Sequence, residues 1–197
     1  MFLYGQAPIL SKQARILLYS SNAWSLAEGM IGPFFGVLTE RIGGNILDIS
    51  WVWATYLIVT GVCNIFIGKI SDGKVSKEKL MISGYALNAL FTFGYIFVSS
   101  PAHLFFVQFG LGVATALATP TWDALYSQQE DRTRTGYMWG LAGGQAQLVT
   151  GIATVIGGLI VVHFSFTILF IIMGIIQSFA AIYQAQILKN KSPLILT

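Results

Sequence analysis

Charged residues in this chain are confined to short segments between long apolar runs, and this separation constrains the fold more than any other feature. Of the 11 Lys and Arg and 8 Asp and Glu residues, six lie in the single stretch 68–80. Only 10% of the 197 residues are charged, 55% are hydrophobic, and the mean hydropathy is +0.70. The sequence therefore predicts an integral membrane protein whose apolar runs cross the bilayer and whose charged segments remain in water.

Six apolar runs are each long enough to cross the hydrocarbon core as a helix, which takes about 20 residues. They cover approximately 16–38, 51–68, 80–98, 104–124, 136–162 and 164–188. Together they occupy most of the chain and leave no room for a soluble domain. We therefore expect an all-α membrane protein with a single domain of six transmembrane helices.

The positions of the basic residues predict how these helices are oriented. With six spans, a single Arg, Arg41, falls on one side of the membrane and ten basic residues fall on the other: Lys12, Arg15, Lys69, Lys74, Lys77, Lys79, Arg132, Arg134, Lys189 and Lys191. Short loops rich in Lys and Arg stay in the cytoplasm, so we expect both termini to be cytoplasmic, in the inner or plasma membrane of the cell. The net charge of +3 follows from these residues, and we expect no binding of nucleic acid.

The charged stretch 68–80, GKISDGKVSKEKL, resembles the motif that follows the second helix in transporters of the major facilitator superfamily. That motif is commonly written G-x-x-x-D-(R/K)-x-G-(R/K)-(R/K), and three of its positions match, Gly68, Asp72 and Lys77. The match is partial: Gly73 and Ser76 depart from the motif, and Lys74 and Lys79 supply displaced cations. The alternative is a turn-forming Asp-Gly pair with solvated lysines.

The resemblance implies that the six helices are the N-terminal half of a twelve-helix transporter, with a glycine-rich fourth helix and basic residues before the fifth. Such transporters bind a substrate at the midplane between two halves that rock for alternating access. The resemblance also implies a cytoplasmic gate in which Asp72 meets the N-terminal end of a helix from the other half. The gate residues expected here are Gly68, Asp72, Lys74, Lys77, Arg132 and Arg134.

A single six-helix half requires a partner. If the chain is complete, a symmetric homodimer is the simplest way to supply both halves. The alternatives are a non-transporting six-helix subunit, or a fragment, that assembles with another chain.

Glu28 is the acidic residue nearest the middle of a predicted span, where an ionised carboxylate costs on the order of 3 kcal/mol. Ser21, Ser25, Glu28 and Gly32 follow one helical stripe beside Trp24, which fits a solvated cleft. Glu28 is expected to carry protons or to bind a cation, so proton-coupled transport is one option. The alternative is a protonated Glu that is hydrogen-bonded to a neighbouring helix.

Other polar residues within the spans are expected to line the same cavity, although each could equally bridge two helices. They are Asn22, Trp24, Asn88, Gln145 and Gln147. An acidic and aromatic cavity without a buried cation favours a neutral or cationic organic solute. Asp123, near the inner end of the fourth span, is interpreted as an interfacial structural carboxylate.

Motifs of intramembrane enzymes do not occur in the sequence. Ser83-Gly84 follows Met81-Ile82 rather than completing a G-x-S-G motif, and neither H-E-x-x-H nor paired metal ligands are found. We therefore expect a transporter of a small organic solute in the lipid bilayer, not an enzyme, with no cofactor and no bound metal.

Overall fold

The computed structural model of the chain describes residues 10–73 and 75–190, and these residues contain helices and no β-strand. Two short 3-10 turns follow longer helices, at Tyr95–Phe97 and Ala185–Asn190, and a third, Gly32–Phe34, links the first two helices. The seven α-helices are α1 (Lys12–Ile31), α2 (Phe35–Arg41), α3 (Ile46–Ser71), α4 (Lys77–Gly94), α5 (Pro101–Ser127), α6 (Thr135–His163) and α7 (Phe166–Gln184).

Five of the seven α-helices begin after a Ser or Asn whose side chain accepts a capping hydrogen bond. At α3 the Oδ1 atom of Asn45 accepts hydrogen bonds from the backbone N–H groups of Leu47 and Asp48, at 2.8 and 3.1 Å. The Asp48 carboxylate accepts in turn from the backbone N–H of Asn45, which completes a capping box. These bonds satisfy N–H groups that have no partner inside the helix, so α3 begins sharply at Ile46.

Five helical segments are long and apolar enough to cross a membrane: Ile46–Ser71, Lys77–Phe97, Pro101–Ser127, Thr135–His163 and Phe166–Lys189. They correspond to the second to sixth predicted spans. The first predicted span, 16–38, is divided into α1, a 3-10 turn and α2. Pro33 has no N–H and its ring clashes with the preceding turn, so the α-helical hydrogen bonding is interrupted where Gly32-Pro33 follows α1.

The helices pack side by side in the order α3, α5, α4, α7, α1 and α6, with lesser contacts between α6 and α7 and between α1 and α5. Apolar side chains form two buried clusters, one around Met30, Leu104 and Phe170 and the other around Leu17, Tyr85 and Tyr126. The outermost helices of this order, α3 and α6, are the least buried: only Val52 and Ser71 of α3 are buried.

Candidate functional site

A cavity of about 480 Å³ lies where α1, α3, α4, α5, α6 and α7 converge. Its volume falls within the roughly 300–1,000 Å³ of small-molecule sites. The polar side chains in its wall come from different helices: Ser25, Glu28, Tyr56, Asn88, Thr92, Tyr95, Gln108, Thr150 and Thr154. Among the described residues that line this cavity, Glu28 is the only Asp, Glu, Lys, Arg or His.

Glu28 and Asn88 form a hydrogen-bonded pair in the wall of this cavity. The Asn88 Nδ2 atom donates to the Glu28 Oε1 atom at 3.5 Å, across the gap between α4 and α1. Asn88 is fully buried, and its Oδ1 atom has no hydrogen-bond partner among the residues that the structure describes. A buried acceptor without a donor is costly. The Glu28 carboxylate is thus the group of this pair that a ligand in the cavity can reach, and Asn88 supports it from the buried side.

Three other polar groups of the wall, on Tyr95, Gln108 and Thr154, form hydrogen bonds with neighbouring elements. The Gln108 Nε2 atom donates to the Tyr95 hydroxyl at 3.2 Å, and Tyr95 stacks on Phe170 with ring centroids 5.0 Å apart. The Thr154 hydroxyl donates to the Gly29 carbonyl at 3.1 Å, which ties α6 to α1. These contacts fix the side chains around Glu28 before any ligand binds.

Sequence analysis did not predict most of the residues in this wall, and it named Ser25 only as part of a helical stripe. The residues that it did not name are Tyr56, Thr92, Tyr95, Gln108, Thr150 and Thr154. Gln108 had a usable signal, because it is a polar amide inside an apolar run. The threonines and tyrosines had none, since such residues also occur on faces that contact lipid or other helices.

Three of the other predicted site residues, Asn22, Gln145 and Gln147, lie outside the wall around Glu28, whereas the Trp24 side chain is hydrogen-bonded to Glu28. The Asn22 Nδ2 atom donates to the Gln145 Oε1 atom at 3.0 Å and so bridges α1 and α6, and neither residue lines the cavity. Gln147 is exposed on α6 and also lies outside the cavity wall. Of the six residues predicted to bind substrate or protons, the structure therefore brings two together in this wall, Glu28 and Asn88.

Trp24 lies on α1 one turn before Glu28 and faces a second, smaller cavity. Its ring meets that of Tyr85 edge-on, with centroids 4.7 Å apart. Its backbone carbonyl accepts a hydrogen bond from the Gln177 Nε2 atom at 3.4 Å. Ser25, the next residue, lines both cavities.

The predicted gate residues lie at the end of α3 and in the loop before α6. The Lys77 ammonium group forms an ion pair with Asp72 at 3.4 Å and donates to the Ser71 carbonyl at 2.7 Å. The Asp72 side chain is 82% exposed, so its carboxylate is open to a further partner. No atom lies within 4 Å of a Cβ built on Gly68. Lys74 lies outside the described residues.

Arg132 and Arg134 lie in the loop just before α6, which begins at Thr135. In the same loop the Asp131 carboxylate accepts hydrogen bonds from the Thr133 hydroxyl at 2.7 Å and the Thr133 backbone N–H at 2.9 Å. These bonds stabilise the ionised form and lower the pKa of Asp131 below its ordinary 3.8. The loop therefore keeps a carboxylate as well as two guanidinium groups beside the N-terminal end of α6.

Comparison with known proteins shows what this arrangement is similar to. The model of the Major Facilitator Superfamily matches residues 19–193. An uncharacterized MFS-type transporter of Methanocaldococcus jannaschii is 24% identical over 173 residues, which are 88% of this chain and 45% of that protein. Multidrug resistance protein MdtG of Enterobacter lignolyticus is 21% identical over 169 residues, which are 84% of this chain and 40% of that protein.

The fold is also that of a solved transporter. The crystal structure of the POT family transporter PepTSo superposes with a TM-score of 0.74 at 12% identity, and covers 94% of this chain and 39% of that one. The chain thus spans less than half the length of these relatives. Two of these relatives are named as transporters, and the third is named as a multidrug resistance protein. This all-α membrane protein belongs to the Major Facilitator Superfamily, and its fold is that of one six-helix half of the family's transporters.

Proposed function

We propose that this chain is one half of a transporter that moves a small organic solute by alternating access, with the solute bound in the cavity around Glu28. The observation that carries this proposal is that Glu28, which accepts a hydrogen bond from the Asn88 Nδ2 atom, is the one charged residue among the described residues that line a cavity of about 480 Å³. Groups held in this way bind a solute reversibly from either side when the surrounding helices rearrange.

The chemistry of the cavity favours a neutral or cationic solute. A cation about 4 Å from Glu28 gains at most about 4 kcal/mol of attraction at an effective dielectric constant near 20. Trp53 and Tyr56 also line the cavity and offer ring faces that attract cations. The name of one relative, multidrug resistance protein MdtG, is compatible with organic solutes of this kind. Exchange of a proton at Glu28 would couple transport to a proton gradient.

The faces of α3 and α6 support the presence of a second half. An alanine Cβ would meet no atom within 4 Å at Gly61 of α3 or at Gly140 and Gly144 of α6. Small residues let another helix approach the backbone closely within a membrane. We therefore place the second six-helix half against α3 and α6. A homodimer is the simplest assembly, and another chain, or a further part of a longer polypeptide, is the alternative.

In this assembly Asp72 would face the start of α6 in the other half, near Arg132 and Arg134. Asp72 lies at the C-terminal end of α3, where its own helix offers no attraction to an anion. The N-terminal end of a helix carries about half a positive charge and attracts a carboxylate. This contact would hold the cytoplasmic side of the transporter closed. Both termini would lie on the same side, because the excess of basic residues in those segments favours a cytoplasmic position.

The proposal is tested by flux across proteoliposomes that contain the full chain. The solutes are radiolabelled tetraethylammonium and a neutral solute of similar size, compared in the wild type, in Glu28→Gln and in Glu40→Gln. Glu40 is exposed at the end of α2, so the control makes the same chemical change outside the cavity.

We expect Glu28→Gln to reduce the flux of the cation at least tenfold, since it removes the one full charge in the wall, and Glu40→Gln to leave that flux unchanged. Equal flux in both variants and the wild type would contradict a role for the cavity. A folded wild type that moves neither solute would favour the alternative of a non-transporting subunit.

A further inference from the structure

The last turn of α1 contains a backbone carbonyl that has lost its usual helical partner. In a continuous α-helix the Gly29 carbonyl would accept a hydrogen bond from the N–H of residue 33, but Pro33 has no N–H. The Thr154 hydroxyl of α6 donates to this carbonyl at 3.1 Å. We propose that Thr154 is a positioning residue, which replaces the bond that Pro33 removes and thereby holds Glu28 in the wall of its cavity.

The two helices approach closely enough for this bond because small residues lie between them. A Cβ atom built on Gly29 would lie 3.0 Å from the Thr150 carbonyl oxygen and 2.9 Å from the Ala153 Cβ atom. A Cβ atom built on Gly157 would overlap the carbonyl group of Met30. Small residues at such contacts let helix backbones approach within a membrane. The hydrogen bond therefore lies where the backbones of α1 and α6 meet.

The position of this bond in the chain connects it to the cavity. Glu28 directly precedes the carbonyl that accepts the bond, and Glu28, Gly29, Pro33 and Thr154 all line the same cavity. A membrane helix tolerates proline where a neighbouring Ser or Thr side chain satisfies the freed backbone group. The hydroxyl thus restrains the end of α1 at the point where the interrupted hydrogen bonding would otherwise let the turn around Glu28 change direction.

The same hydroxyl has a second acceptor within its own helix. The Thr154 Oγ1 atom lies 3.0 Å from the Thr150 carbonyl, almost the same distance as from the Gly29 carbonyl. A hydroxyl has one proton to donate, and a bond to the carbonyl four residues earlier is common for threonine in helices. When α1 and α6 separate, the hydroxyl therefore turns fully to Thr150 and keeps a partner. The Gly29 carbonyl then becomes an acceptor for a donor group in the cavity.

This inference deepens the proposed function, because it rests on Glu28 binding the solute and on helices that rearrange during transport. The bond and its effect on Glu28 are measured without any flux of solute. A failure of transport and a failure of this inference are therefore distinguishable.

The first experiment observes the Gly29 carbonyl by NMR in the full chain in nanodiscs. Gly29-Met30 is the one Gly-Met pair in the sequence, so labelling glycine with carbonyl ¹³C and methionine with ¹⁵N selects a single peptide bond. The wild type is compared with Thr154→Val, which removes the hydroxyl with little change in shape, and with Thr154→Ser, which keeps it. Thr150→Val is the matched control, because it makes the same change one turn earlier in the same wall.

We expect Thr154→Val to shift the Gly29 carbonyl resonance upfield, because the carbon loses the deshielding of an accepted hydrogen bond. Thr154→Ser and Thr150→Val should leave this resonance in place. An unmoved resonance in Thr154→Val overturns the proposal.

The side-chain amide of Asn88 reports the position of Glu28, because its Nδ2 atom donates to the carboxylate. Its resonance is observed with ¹⁵N-labelled asparagine and is identified by its loss in Asn88→Leu. We expect this resonance to move in Thr154→Val and to stay in place in Thr154→Ser and Thr150→Val. If it stays in place in Thr154→Val as well, the positioning of Glu28 by Thr154 is overturned.

The second experiment is a double-mutant cycle that tests whether the missing N–H of Pro33 is what makes the hydroxyl necessary. Pro33→Ala restores that N–H, so the Gly29 carbonyl no longer needs Thr154. We expect Thr154→Val to raise the unfolding equilibrium constant about fivefold in the wild-type background and less than about twofold in the Pro33→Ala background, as measured by titration with dodecyl sulfate. Equal effects in both backgrounds would show that the two residues are not coupled and would overturn the proposal. If Pro33→Ala does not fold, the carbonyl resonance still decides the proposal.

Discussion

Replacement of Gly84 by alanine should force α4 and α5 apart. A Cβ atom at Gly84 would lie 2.7 Å from the Ala114 carbonyl oxygen and 2.8 Å from the Ala118 backbone nitrogen. Ordinary contacts of a Cβ atom begin at 3.4 Å, so the helices must separate locally by about 0.7 Å. Because the opposing atoms belong to the backbone of α5, no side-chain rotation can relieve the overlap.

The expected loss in the free energy of unfolding follows from the side-chain packing that this separation disturbs. Tyr85 and Met81, which flank Gly84 on α4, are buried in the same cluster as Ala118. Overpacking of this kind costs about 1–3 kcal/mol, and the higher helix propensity of alanine returns up to about 1 kcal/mol. A net loss of about 1–2 kcal/mol lowers the melting temperature of a chain of this size by roughly 2–8 °C.

The assay is thermal unfolding in a detergent harsh enough to separate the proposed assembly into single chains, followed by tryptophan fluorescence. The matched control is Gly144→Ala, because an alanine Cβ at that position of α6 meets nothing within 4 Å. We expect the control to melt at or slightly above the wild-type temperature. If Gly84→Ala proves as stable as Gly144→Ala, the close approach of α4 and α5 is refuted.

Two further predictions concern the loops. Asp72→Asn removes an exposed ion pair with Lys77, so the free energy of unfolding should change by less than about 1 kcal/mol. If Asp72 holds the cytoplasmic gate closed, a cysteine placed in the Glu28 cavity should be labelled faster from the cytoplasmic side in this variant. Unchanged labelling argues against the gate. Thr133→Val removes a side-chain donor to Asp131 and should raise its pKa toward 3.8, as measured by carboxyl NMR. Because the folded-state pKa is depressed, this contact stabilises the loop above pH 3.8 and is lost as the pH falls through the folded-state value.

The sequence predicted most of the helices because the signal is local. Five apolar runs separated by polar loops correspond to five long helical segments. The break after Ile31 was not predicted, although Gly32 and Pro33 are visible in the sequence. Membrane helices tolerate Pro when neighbouring groups satisfy the freed backbone, so a proline in an apolar run does not by itself indicate where a helix ends.

The site could be predicted only in part, because it depends on which faces of separate helices meet. Glu28 was identifiable as an acid within an apolar run, yet its contact with Asn88 joins helices that are 60 residues apart in the chain. The expectation that both Gln145 and Gln147 face one cavity was weak on geometric grounds. Residues two apart on a helix point in different directions. In the structure Gln145 bonds to Asn22, and Gln147 is exposed.

The central claim is that a second six-helix half completes the transporter, and in its simplest form that half is another copy of this chain. Native mass spectrometry of the protein released from nanodiscs, at several dilutions, tests this claim most directly. We expect a species of twice the 21.5 kDa chain mass that persists on dilution. A monomer at every dilution would contradict the homodimer and would require the second half to come from a different polypeptide or from a longer form of this one.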